Sequence, residues 1–175
     1  MITKYLVLQR QVKYPRIEIK DFAIRIILPK NSQIEPKELL KQKEDWLRKK
    51  IEFLEELKKK ASELHLKENK NYQEMVYFYV QDFAKKLGVY PKKILFRKMK
   101  RSWATCNYKN EITFNKAIRF LPSDLIKYIV CHEMVHLLIK NHKKEFWILV
   151  KAFFKDFAEY EKQLSVYKIL INSKD

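Results

Sequence analysis

Near the start of the chain apolar residues alternate with charged ones, and further on they shift to a helical spacing. In "RIEIK" Ile17 and Ile19 alternate with charge, and in "FAIRIIL" Phe22, Ile24 and Ile26 share one face around Arg25. A period of two predicts short strands, with "KYLVLQ" as another. Asp21 suits a turn between the second and third strands, and Pro29 with Asn31 closes the region. From Pro36 to about Leu66, Leu40, Leu47, Leu54 and Ala61 recur every seven residues, joined by Leu57 and Leu64. That stripe predicts one long amphipathic helix packed on the chain's own body rather than on a partner. "NYQEMVYFYVQDFAKKLGV" predicts a second helix, stopped by Gly88. "KILFRK" and "EITFN" read as strands around the loop "RSWATCNYKN". From Pro122, "SDLIKYIVCHEMVHLLIK" reads as a buried helix, and "HKKEFWILVKAFFKDFAEYEKQL" as one further amphipathic helix. Strands followed by helices predict an α+β fold.

Composition narrows the class. Hydrophobic residues make up 47% of the 175 residues, enough for a folded core. No apolar run approaches the roughly 20 residues of a membrane helix. The first apolar run is too short for a signal peptide, so a cytoplasmic protein without membrane association is expected. Cys106 and Cys131 make no disulfide framework; Cys131 reads as core and Cys106 as a packed small residue. Lys and Arg outnumber Asp and Glu by 38 to 21, a net charge of +17 that attracts polyanions. From Lys85 to Arg101 the chain carries eight basic residues and no acid. Such a run is either a solvated face or an anion-binding surface, and charge alone does not choose. The scarcity of glycine, with Gly88 as the single example, suits a heat-adapted protein.

The chemistry concentrates in "CHEMVHLLIKNH", which holds three of the four histidines; the fourth, His65, is given no role. His132 and His136 lie four apart, one turn apart on the same helical face. Two imidazoles at that spacing can share one Zn2+ at about 2.0–2.1 Å. Glu133, about 100° round the helix, can avoid the ion yet reach a water on it, as in the zincin pattern His-Glu-x-x-His. A catalytic zinc takes three protein ligands and leaves a place for water. His142 is the favoured third ligand, with Glu145 and Glu159 as competitors. An unbroken helix would carry residue 142 roughly 240° away from His136, so the helix must end and the chain turn back, with Asn141 a candidate for a left-handed turn. Ile139 stands where metzincins place glycine, which excludes that class. A histidine pair kept only for hydrogen bonding is the alternative, but the apolar flanks "YIV" and "LLI" make an unpartnered polar cluster costly there.

With these motifs in view, the chain resembles the YgjP-like metallopeptidase family, small zincins related to SprT-like and minigluzincin proteins. The resemblance runs through the opening strands, "KEDWLRKKI", "RKMKRSWATC", "EITFN" and "LIKYIVCHEMVHLLIKNHKKEFWILV". It implies a zincin-like α+β domain over residues 1–175. Residues 1–69 would carry the N-terminal strands and long helix, and 70–175 the metal-binding core with a small antiparallel or mixed sheet. It implies His132, His136 and His142 as ligands of one Zn2+ per chain, and Glu133 as the base. The family's Arg-Trp-Gly-Ser-Cys loop is replaced by Ser102, Trp103, Ala104, Thr105 and Cys106, with the basic residue moved to Arg101. Trp103 and Asn115 are its candidates for lining the substrate cleft.

The expected activity is peptide hydrolysis of a polypeptide substrate. The ion would polarise the scissile carbonyl and acidify its water. Glu133 would take the proton and pass it to the leaving amine, and an edge strand near Ile112–Phe114 would pair with the substrate. Two other readings stand beside it. A metal-dependent nucleotide or phosphoanhydride hydrolase would use the basic field but lacks a Gly-rich phosphate loop. A DNA-associated protease of SprT-like kinship would use Lys85–Arg101, with Tyr90 and Phe96 stacking on bases.

Overall fold

In the computed structural model the described residues are 5–20 and 23–172. They form two compact units, divided between Lys59 and Lys60. The expected turn at Asp21 and the apolar Phe22 lie outside the described residues.

In the first unit, strands β1 (Tyr5–Arg10), β2 (Arg16–Lys20) and β3 (Ala23–Pro29) form a sheet in the order β1-β3-β2. β3 is central, parallel to β1 and antiparallel to β2. Its alternation places Ile24, Ile26 and Leu28 on the buried face. They pack with Leu40 of helix α1 (Pro36–Gln42) and Leu47 of helix α2 (Glu44–Glu63). The long helix expected from Pro36 is therefore two helices. At Lys43 the backbone reaches φ −115°, ψ 16°, and its N–H bonds the Leu40 carbonyl. No proline or glycine marks this break, and Leu40 and Leu47 remain buried on both sides of it.

In the second unit, α3 (Tyr72–Leu87) ends as expected at Gly88, whose φ of 69° lies in the left-handed region and whose N–H bonds the Ala84 carbonyl. Strands β4 (Lys93–Arg97), β5 (Ala104–Cys106) and β6 (Glu111–Asn115) form a mixed sheet in the order β4-β6-β5. Two expectations change here. The segment read as a loop contains β5, and the strand expected at the edge, Ile112–Phe114, is the middle one. β6 is parallel to β4 on one side and antiparallel to β5 on the other. A central strand is paired along both edges, and Ile112 and Phe114, on the same face of it, have no exposure.

A short 3-10 helix, Lys116–Phe120, leads into α4 (Ser123–Leu138). α4 packs against α3 and β5, and its apolar residues Leu125, Ile126, Ile129, Val130, Met134 and Val135 form the centre of the core. The last expected helix is also two, α5 (Lys144–Phe153) and α6 (Phe157–Asn172). At Phe154 the chain leaves helical geometry (φ −133°, ψ 89°). The break turns Phe154 edge-on to Tyr128 at 5.3 Å and lets Tyr160 of α6 stack on Tyr128 at 5.2 Å. Aromatic packing of this kind outweighs the continuity of one helix. The α+β expectation holds for the described residues.

Candidate metal centre

The last turns of α4 carry His132 and His136 with ring centroids 4.9 Å apart. The helix stops because Ile139 turns extended (φ −127°, ψ 104°), its N–H closing the final bond to the Val135 carbonyl. The chain bends back without the left-handed residue expected at Asn141. Among the described non-glycine residues only Asn110 has positive φ. The turn is instead made by the Asn141 side chain, whose Oδ1 accepts from the Lys143 N–H at 3.1 Å. That is an Asx turn, a local substitute for a backbone turn.

The bend returns His142 to the helix. Its Nε2 lies 3.0 Å from His132 Nε2 and 3.2 Å from His136 Nε2. Donor atoms bound to one tetrahedral zinc at about 2.0–2.1 Å would stand about 3.3 Å apart, so the three nitrogens have the spacing a shared ion needs. Glu145 and Glu159, the competing candidates, are exposed and not in this cluster.

The tautomer is favourable as well. His136 Nδ1 faces the Ile139 carbonyl oxygen at 2.9 Å. A carbonyl only accepts, so Nδ1 carries the hydrogen and Nε2 keeps its lone pair. Fixing one ring nitrogen in this way orients the other toward a metal. His142 is held from behind by Trp147, whose indole N–H donates to the His142 carbonyl at 3.1 Å and whose ring stacks on Phe157 at 4.8 Å. Buried Phe146 forms an apolar wall with ring centroids 4.5–4.8 Å from all three imidazoles.

That wall shapes the electrostatics. Burial, followed by the neighbouring His136 and His142, pushes His132 down to about 3. Burial lowers His136 too, against the raising effect of its bond to Ile139. At neutral pH these two imidazoles are uncharged, the form that binds metals. Glu133, next to His132, is buried, and burial pushes its carboxyl up to about 8. Its Oε2 has no hydrogen-bond partner. A buried carboxyl oxygen without a partner is costly, and a nearby cation would restore its ionised form. Three converging Nε2 atoms, with an orphaned carboxyl oxygen on the residue after His132, fit a divalent cation with an attendant water.

Asn115 caps the 3-10 helix and is fully engaged. Its Oδ1 accepts from the Ala117 and Met99 N–H groups, and its Nδ2 donates to the Met99 and Ser102 carbonyls at 2.7 and 2.9 Å. It thus pins the loop ahead of β5. Trp103 is half-buried against the core, and its carbonyl accepts from the Asn115 N–H. Cys106 is half-buried at the end of β5, and burial raises its thiol against the lowering effect of Lys140. Cys131 is buried, as expected. Nothing in the sequence singles out Phe146, Trp147 or Lys140. "KEFWILV" has the spacing of an ordinary core-facing helix, and only the return of the bend shows what Phe146 and Trp147 face.

Comparison with known proteins identifies the family of the chain. The model of the YgjP-like metallopeptidase domain matches residues 57–167, starting inside α2, so the opening strands and "KEDWLRKKI" lie upstream of it. Among solved structures, the metallopeptidase zymogen abylysin of Pyrococcus abyssi is similar with a TM-score of 0.47 and 26% identity, over 51% of this chain and 90% of that one. The metallopeptidase zymogen jannalysin of Methanocaldococcus jannaschii has a TM-score of 0.46 and 24% identity, over 54% and 96%. No curated protein sequence matches. Matched over most of its length by that domain, the chain belongs to the YgjP-like metallopeptidase family and is a hydrolase of that class.

Proposed function

We propose that the protein is a zinc-dependent metallopeptidase in which His132, His136 and His142 hold one Zn2+ and Glu133 is the general base. The observation that carries this reading is the convergence of three Nε2 atoms, with gaps of 3.0 and 3.2 Å, while the residue after His132 carries a buried carboxyl lacking a partner. Zinc, when bound, supplies Lewis-acid polarisation of a carbonyl and acidifies a water. Glu133 takes the proton of the attacking water and returns it to the leaving amine. Burial beside the Phe146 wall keeps His132 and His136 uncharged and ready to bind the ion. The substrate is an extended peptide lying along β5, whose second edge pairs with no strand among the described residues. Trp103 and Asn115 act on that side, Asn115 by holding the loop in place.

Metal analysis of the purified protein, followed by peptide, unfolded-protein and nucleotide panels with and without a chelator, tests the reading. One zinc per chain and chelator-sensitive peptide hydrolysis are expected. Peptide hydrolysis by metal-free protein, or hydrolysis of nucleotides alone, overturns it.

One surface feature favours a second property, binding to nucleic acid. Tyr108 and Tyr90 are 90% and 66% exposed, and Lys92 and Lys109 are exposed near them. The Lys92 N–H bonds the Asn110 carbonyl, which joins the two segments. Phe96 does not contribute, because it is packed among Tyr72, Tyr77 and Phe114. Single-stranded DNA should bind this patch with an affinity that falls as salt rises. Binding insensitive to salt, or unchanged by Tyr108→Ala with Lys109→Ala, refutes it.

A further inference from the structure

The segment that carries the third histidine is short and irregular, so something outside helix and strand must hold it. Lys140 lies between Ile139, whose carbonyl orients His136, and Asn141, which makes the turn to His142. Its ammonium group is half-buried and reaches across to the β5–β6 turn. There it donates to Asn110 Oδ1 at 2.7 Å, to the Asn107 carbonyl at 3.1 Å and to Cys106 Sγ at 3.6 Å. An ammonium has three hydrogens to give, and three acceptors meet it, so it has no donor left over for a substrate carboxylate.

The platform it grips is stiff. Asn107 Oδ1 accepts from the Lys109 and Glu111 N–H groups at 2.9 and 3.0 Å, and its Nδ2 donates to Glu111 Oε2 at 2.8 Å. Asn110 closes the turn in the left-handed region at φ 59°, and its N–H bonds the Asn107 carbonyl. One end of the Lys140 side chain therefore sits in the ligand-bearing bend, and the other on the turn that ends β5.

We infer that Lys140 is a positioning residue: it fixes the bend that presents His142 and the Ile139 carbonyl, and sets the spacing between the metal centre and edge strand β5. The inference builds on the metal-centre reading above and deepens it. It assigns no contact between Lys140 and the ion or the substrate. Outer partners that orient metal ligands are worth about 10–100-fold in metal affinity.

The test compares the wild type with Lys140→Met, Lys140→Arg and Asn110→Gly. Zinc affinity is read by competition with a chromophoric chelator, ligand geometry by the visible spectrum of the cobalt-substituted protein, and kcat and KM separately on a peptide. Lys140→Met should bind zinc about 10–100-fold more weakly, with an altered cobalt spectrum and a raised KM. Lys140→Arg, which keeps donors toward Asn110 and Asn107, should recover part of the loss. Asn110→Gly retains the left-handed turn without strain and removes only the nearest acceptor, so it should weaken binding by a smaller factor. It also carries the test if Lys140→Met fails to fold. Wild-type zinc affinity and an unchanged cobalt spectrum in folded Lys140→Met, or in Asn110→Gly when the former does not fold, overturn the inference alone. Absence of zinc binding by the wild type, or full binding by His142→Ala, removes the metal-centre reading and this inference with it.

Discussion

His136 Nδ1 meets the carbonyl oxygen of Ile139 at 2.9 Å, the first residue past the end of α4. The end of the helix and the orientation of a ligand are thus one event. The carbonyl freed where the helix stops is the one that fixes the imidazole tautomer. Nitrogen-15 NMR of the metal-free protein should show His136 protonated at Nδ1 at neutral pH. Zinc should then shift its Nε2 and leave Nδ1 protonated. A resonance pattern with the hydrogen on Nε2 would contradict this.

Glu133→Gln keeps the size of the side chain and removes the base. Zinc content should stay at one per chain, because the three imidazoles are untouched. Peptide hydrolysis should fall by about 10²–10⁴-fold, the usual contribution of a positioned acid–base group. Retained hydrolysis at the wild-type rate with normal metal content would assign the proton transfer to another group.

The metal-free protein should lose stability as pH rises from 6.5 to 8. Glu133 titrates near 8 when folded, against an ordinary value of 4.5. Between those values the folded chain holds a proton that the unfolded chain has lost, so stability falls as pH rises. His132 acts with the opposite sign. It is lowered from 6.5 to about 3, so the unfolded chain binds the extra proton and stability rises with pH across that window. The two oppose each other from 4.5 to 6.5, and from 6.5 to 8 Glu133 acts alone of the pair. Denaturant melts should show a decline of about 1 kcal/mol per pH unit there, absent in Glu133→Gln. An equal decline in both proteins would mean that another group is responsible.

Trp147→Phe retains a ring against Phe157 and deletes the N–H that reaches the His142 carbonyl. The folded protein should lose about 1 kcal/mol, the net value of an ordinary hydrogen bond. Zinc affinity should fall by about tenfold, at the lower end of what orienting partners contribute. Calorimetric titration alongside thermal melts separates the two effects. Unchanged affinity would show that the Asx turn and Lys140 suffice to hold the bend.

Much of the centre is legible in the chain because the chemistry there is local. Spacing of four on a helix places His132 and His136 side by side whatever the rest of the fold does. The need to turn after residue 138 follows from the position of His142. How the turn is made is not legible. Ile139 extends and Asn141 caps, while the left-handed conformation falls to Asn110 in a different turn. β5 is not legible because "ATC" is too short to show alternation, and the central place of β6 depends on partners distant in sequence. The breaks at Lys43 and Phe154 carry neither proline nor glycine. At Phe154 the cause is the cluster of Tyr128, Phe154 and Tyr160, with Phe154 edge-on to two stacked tyrosines, which no single segment reveals.

Because β6 is paired along both edges, the rail proposed above for the substrate is the open edge of β5, three residues long. Such a rail is about 10 Å long and can register only a few main-chain bonds with a guest. Discrimination among guests must then come from how their side chains seat on either side of the cut, and a loosely structured polypeptide will be admitted far more readily than a folded one.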